Sequence, residues 1–173
     1  MKKDLWEKCV SFHGHSCGGL AIGYQVSMYA MELLEAGRAE DEELVCIAEC
    51  DACSVDAIQV LLGCTLGKGN LLLKLRGKQA YSFYNRKNGK SVRLVLRETP
   101  EKNRDERLKW LMEGDFHDMF NCNAAPEHEP EQARIFKNYT CKECGERTAE
   151  SHIHLVNGEY FCEECYKPYR RIY

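Results

Sequence analysis

The sequence lacks any uninterrupted apolar run of the roughly 18 residues that a membrane-spanning helix needs. Its longest candidate, Val55 to Leu66, is broken by Asp56, Gln59 and Gly63, so no membrane association is expected. The opening Met-Lys-Lys-Asp-Leu-Trp-Glu-Lys-Cys is basic but has no following apolar run or small-residue cleavage site, so export is not expected and a cytoplasmic location is. An excess of positive charge is also missing. The formal net charge is −3 and the pI is near 6.1, which gives a polyanion no general attraction, and no local basic patch dominates. No nucleic-acid partner is expected. Internal repeats are absent as well.

Cysteine, by contrast, is abundant: 11 in 173 residues. Secreted domains pair their cysteines, whereas cytosolic chains use them for metals and redox chemistry. An odd count in a reducing compartment therefore argues for thiols and metal thiolates over a disulfide framework. Hydrophobic residues at 44% and charged residues at 29% are the mix of a globular protein with a sizeable core. The length suits one ordinary domain and a small appendage.

Apolar and small residues fill the stretch from Leu20 to Glu35, as in a largely buried helix, with Gly37 as its expected stop. A strand is predicted at Leu44–Ala48 and a second buried helix at Ser54–Leu62, with Asp51 and Ser54 as candidate caps. Cys53 then lies at a strand-to-helix junction. Further strands are expected at Leu71–Leu75, Ala80–Tyr84 and Ser91–Arg97, the last two joined across Asn88-Gly89 as an antiparallel hairpin. A charged surface helix is expected from about Pro100 to Glu113 with Gly114 as its end. Helices followed by several strands in a row indicate an α+β fold. The expected organisation is a core at 1–120, a linker at 121–138 poor in apolar periodicity, and a small module at 139–173.

That module holds Cys141-Lys-Glu-Cys144 and Cys162-Glu-Glu-Cys165, with 17 residues between the two pairs. Two residues between thiolates let one tight turn aim both sulfurs at a single ion, and this spacing is that of four-cysteine zinc modules. Ile153–Val156 and Glu159–Phe161, joined by Asn157-Gly158, form a predicted hairpin that returns the chain to the second pair. The reading is a treble-clef or zinc-ribbon module. A closed four-thiolate shell leaves no position for substrate, so this zinc is expected to be structural; rubredoxin-like iron takes the same four ligands. His152 and His154 are expected to point outward from the hairpin.

Three further segments carry chemistry-bearing residues. Phe12-His13-Gly14-His15-Ser16-Cys17-Gly18-Gly19 places two imidazoles and a thiol in a glycine-rich stretch before a helix, where the free N–H groups of the helix start favour a thiolate. Glu49-Cys50-Asp51-Ala52-Cys53 again sets a thiol at a helix start. Gly63-Cys64-Thr65-Leu66-Gly67-Lys68-Gly69-Asn70 fails as a phosphate loop, having one residue too few before Gly67-Lys68 and a strand after it. His15, Cys17, Cys53 and Cys64 are the candidate functional set, with Lys68 as a source of positive charge. Cys9, Cys46 and Cys122 read as ordinary small apolar side chains.

Together these three segments resemble the FmdE family, named for the FmdE component of formylmethanofuran dehydrogenase. The resemblance spans about residues 5–100, and the cysteine quartet looks like the treble-clef finger that some members append. It implies an α+β core, a homodimer, and a cleft in which His15, Cys17 and Cys53 form a metal or active site. Where the family pattern continues His-x-Cys-Pro-Gly, this chain has Gly18. The resulting expectation is a metal-binding protein with a zinc finger and an unidentified metal in the core, linked to one-carbon metabolism and acting on an unidentified small-molecule or protein partner. With three protein ligands that metal keeps an open position, and His15, Cys17, Cys53 and Lys68 are then catalytic candidates. The alternative is a non-enzymatic accessory, metal-delivery or partner-binding protein.

Overall fold

The computed structural model describes residues 2–100, 103–126 and 128–171. The chain divides into two compact units, residues 1–133 and 134–173.

The first unit opens with a helix that the sequence reading did not anticipate, α1 (Lys3–His13). Leu5, Trp6, Cys9 and Val10 recur at helical spacing and pack together on one side of it, which is the usual signature of a surface helix. Gly14 ends it at φ +92, its N–H bonding to the Val10 carbonyl. Cys17 then caps α2 (Gly18–Leu33), its Sγ accepting from the Leu20 N–H at 3.4 Å. This helix stops at Leu34, ahead of the expected Gly37. β1 (Leu44–Ala48) and α3 (Ser54–Leu62) fall where periodicity put them. β2 (Leu71–Leu73) is shorter than expected, and β3 (Ala80–Asn85) and β4 (Ser91–Leu96) form the anticipated antiparallel hairpin.

After β4 comes α4 (Arg104–Glu113), capped by the Asn103 side chain and ended at Gly114. The expected start near Pro100 precedes it, and residues 101–102 lie outside the described ones. One turn of helix, α5 (Phe116–Met119), leads into β5 (Phe120–Asn123). Asn121 to Asn123, read from composition as linker, are thus sheet: they pair with Arg93 to Val95 of β4.

The five strands run in the order β2-β1-β3-β4-β5, with only β1 and β2 parallel, joined through α3. Alternation along β1 sorts its side chains. Leu44, Cys46 and Ala48 meet the helices in the main core, while Val45 and Ile47 pack with Tyr84 on the opposite face, as a period of two requires. The fold is α+β.

What positions the functional residues is the approach of α2 to α3. A Cβ on Gly23 would lie 2.1 Å from the Ser54 carbonyl oxygen and 2.6 Å from its Cα. One turn earlier, a Cβ on Gly19 would lie 3.0 Å from the Cβ of Cys53. Positions i and i+4 share a helix face, so Gly19 and Gly23 form a groove in α2 that receives the start of α3.

The second unit holds β6 (Asn138–Thr140) paired with β7 (Arg147–Ala149), a single 3-10 turn at Glu150–His152, and β8 (Ile153–Val156) paired with β9 (Glu159–Cys162). Asn157 at φ +51 and Gly158 at φ +84 make the tight turn between the last two, the backbone signs that a two-residue hairpin loop demands.

Gly23→Ala is expected to cost at least about 2 kcal/mol, because the groove would have to open against backbone. Gly37→Ala, where an added Cβ meets nothing within 4 Å, should change stability by under about 0.5 kcal/mol. Urea unfolding midpoints of the two variants check both.

Candidate functional site

In the second unit the four sulfurs of Cys141, Cys144, Cys162 and Cys165 all lie within 4.8 Å of one another. Each C-x-x-C closes on itself through a backbone bond, Gly145 N–H to the Cys141 carbonyl and Cys165 N–H to the Cys162 carbonyl. Gly145 takes φ +77 in the first turn, a conformation that costs glycine little. The N–H of Cys162 points at the Cys141 sulfur at 3.5 Å. Backbone N–H groups of Cys144 and Cys162 hold the Cys141 thiol down to about 6, and the thiol of Cys162 pushes Cys165 up.

Among the described residues of this unit only Cys141 is buried. With no apolar core to hold it, a shared ion is the natural source of its folding free energy. Four convergent thiols fit a tetrahedral metal, zinc among those that suit them. The histidines are occupied elsewhere: His154 stacks on Tyr166 and reaches Glu163 at 3.0 Å, and His152 meets the Ser151 hydroxyl.

A second cluster lies in the first unit. His13 closes α1, the turn at Gly14 reverses the chain, and Cys17 begins α2. This five-residue connection brings donor atoms of His13, His15 and Cys17 within 4.8 Å of one another. The His13 Nε2 stands 3.7 Å from the Cys17 sulfur, and the two imidazole centroids are 4.5 Å apart. From the first turn of α3, Asp56 accepts the His13 Nδ1–H at 2.7 Å. Gln59 in turn donates to Asp56 at 3.4 Å. A carboxylate on Nδ1 fixes the tautomer that leaves Nε2 free, the arrangement common to metal-binding histidines.

Cys53 sits beside Cys17 where α3 begins, outside the set of three donors. Burial, then the neighbouring Cys17 thiol, raises its pKa. The turn carrying it is held from below. Tyr81 donates to Ser54 at 2.6 Å and also bonds Gln79, while the buried Cys50 lies against Tyr81 and Ser54.

The other expected residues are placed differently. Cys64 is fully buried, bonded to the Leu44 carbonyl and pushed up to about 12 by burial. The Lys68 ammonium donates to the carbonyls of Asp41 and Glu40 at 2.7 and 3.3 Å. Beside it the buried Asn70 amide ties Asp41, Leu44 and Gly63. This segment pins a loop at the C-terminal end of α3, about 13 Å of helix from Cys53. Glu49, the carboxylate that opens the Glu49–Cys53 segment, is buried and paired with Arg93 at 2.6 Å. The sequence reading left His13 out of the site and did not single out Asp56. The alternation His13, His15, Cys17 and the placement of Asp56 in the first turn of the helix that follows Cys53 were the available signals.

Asp56→Asn should leave the fold intact and weaken metal binding at this cluster by about 10- to 100-fold. Competition with a chromogenic chelator against the wild-type protein measures the change.

Comparison with known proteins bears on the family and the fold. The family model described as "FmdE, Molybdenum formylmethanofuran dehydrogenase operon" matches residues 12–143. A "probable S-adenosyl-L-methionine-binding protein" of Archaeoglobus fulgidus is 31% identical over 168 residues, covering 78% of this chain and 46% of that protein; this chain thus spans about half the length of that relative. The crystal structure of a tungsten formylmethanofuran dehydrogenase FmdE-like protein from Syntrophus aciditrophicus superposes with a TM-score of 0.72 at 26% identity, covering 94% of this chain and 90% of that one. With that family model matching residues 12–143, the chain belongs to the FmdE family.

Proposed function

We propose that His13, His15 and Cys17 form the working metal site of this protein, with Cys53 as the thiol placed to meet a substrate, and that the cysteine quartet holds a structural zinc. The observation that carries this reading is the convergence of two imidazoles and a thiol within 4.8 Å, one imidazole oriented by Asp56. Four thiolates close a coordination shell, whereas two imidazoles and one thiolate leave it open. A divalent ion held there supplies Lewis acidity at the position left for a substrate group. The chain's own contributions are separable. Asp56 keeps the His13 Nδ1 proton, which frees Nε2; Cys17 spans the helix start and the cluster; Cys53 borders the cluster from α3.

The reaction class is small-molecule chemistry in one-carbon metabolism. Formylmethanofuran, in the family's description, and S-adenosyl-L-methionine, in the name of the Archaeoglobus relative, are both carriers of one-carbon units. The thiol-rich composition suits the reducing cytoplasm. A homodimer is favoured by the edge strand β2 and its continuation, where Leu72, Leu73 and Leu75 are exposed, since an apolar strand edge invites pairing with a second copy.

Elemental analysis of full-length protein purified without added metal should find two metals per chain. A His13→Ala, His15→Ala, Cys17→Ser variant should lose one, and Cys144→Ser the other. Retention of both metals by the triple variant would sink the core site.

A second reading, an accessory protein that captures a partner, is favoured by the apolar side chains of Ile135, Phe136, Leu155 and Tyr160 exposed on the second unit. It predicts that Ile135→Ser with Leu155→Ser abolishes co-purification of that partner while both metals remain. Unchanged co-purification argues against it.

A further inference from the structure

Next to the paired thiols the surface sinks into a cavity of about 400 Å3, lined by Gly18, Gly19 and Ile22 of α2, by Gln79, and by Arg104 and Arg107 of α4. Gly19 links cavity and thiol: a Cβ added to it would lie 3.5 Å from the Cys53 sulfur. A volume of this order accommodates a small metabolite.

The two arginines stand apart from the others of this unit. Arg76 and Arg93 hold Glu49, Arg86 holds Glu129, Arg38 bonds the Val60 carbonyl and Arg97 the Asn121 side chain. Arg104 and Arg107 are exposed, and among the described residues neither guanidinium has a partner. At i and i+3 they share one face of α4, the face that borders the cavity. Gln79 spends its Oε1 on Ser54 and Tyr81, which leaves its amide N–H groups as further donors. One neighbouring group opposes this charge: the Asp56 carboxylate on the first turn of α3 would repel an anion that nothing neutralised. Two planar guanidiniums match the paired oxygens of a carboxylate or phosphate, a fit that a lysine pair would not give.

We propose that this cavity binds the oxyanionic group, carboxylate or phosphate, of a small substrate and holds the rest of that molecule against Cys17 and Cys53. The inference rests on the reading of the neighbouring cluster as a reaction centre. It assigns Arg104 and Arg107 as the residues that select for charge, and it narrows the one-carbon substrate to one that carries an anionic handle.

The test is an NMR titration of the full-length protein with sodium phosphate and, separately, sodium acetate, at constant ionic strength. Saturable shifts are expected in the amides of Gly18 and Gly19 and in the Nε–H signals of Arg104 and Arg107, all fitting one dissociation constant per anion. Tighter saturation by phosphate identifies a phosphate handle, and tighter saturation by acetate a carboxylate. Arg104→Gln with Arg107→Gln should weaken binding by at least about tenfold without changing metal content or the thermal midpoint, because both side chains are exposed. Shifts that never saturate and spread across the other surface arginines would overturn the proposal, as would a double variant that binds as tightly as the wild type. The two readings fail separately. A core found without metal that still binds the anion removes the metal site and leaves the cavity, whereas a metal-loaded core with no saturable binding removes the cavity assignment alone.

Discussion

The candidate site depends on two helices lying closer together than side chains would permit. Gly19 and Gly23 strip one face of α2 down to backbone, and the start of α3 packs into the space, with Cys53 at one glycine and Ser54 at the other. Each glycine inside a helix costs about 1 kcal/mol relative to alanine. Burial of Leu20 on α2 and of Ile58, Leu61 and Leu62 along α3, each contributing about 1.5–3 kcal/mol, more than offsets that. The consequence is functional. Because both helix starts meet there, the thiol capping α2 and the thiol at the head of α3 become neighbours, and Asp56 comes within reach of His13.

The surroundings keep that junction rigid. Below Cys53, Tyr81 of the central strand β3 bonds Ser54, and the buried Cys50 fills the corner. At the other end of α3, Asn70 and Lys68 hold the loop of residues 40–44 through its carbonyls. A buried amide and a cation that satisfy backbone oxygens in this way fix geometry, so this glycine-rich stretch anchors the loop beside it. Glu49 is likewise closed in by arginines. Reactive residue types near a motif are therefore divided by the fold into those that face the cluster and those that hold it in place.

The two clusters obey different physics. In the second unit the four cysteines come in local pairs, each on its own turn, and only Cys141 is buried among the described residues, so a shared metal would take the place of a core. In the first unit His13, His15 and Cys17 are close along the chain, but Asp56 and Cys53 reach them from α3, which a hydrophobic core already positions. The tail quartet is set by two local turns, whereas the core cluster is built by the fold.

The sequence by itself determined whatever depends on neighbours along the chain. The quartet was legible because two C-x-x-C turns are local geometry, as were β1, α3, the β3–β4 hairpin and the Asn157-Gly158 turn. Local signals misplaced element ends: Gly37 looked like the stop of α2, yet the helix closes at Leu34, and β5 hid in polar Asn121 to Asn123 because pairing to β4, not composition, makes it a strand. Only the tertiary structure decided which of the candidate residues stand together. It set Asp56 against His13 and Cys53 beside Cys17, and tied Cys64 and Lys68 to the loop at the far end of α3, because those outcomes turn on which ends of α3 and α2 meet. That depends on packing at Gly19 and Gly23, a contact between residues some thirty positions apart that no local pattern encodes.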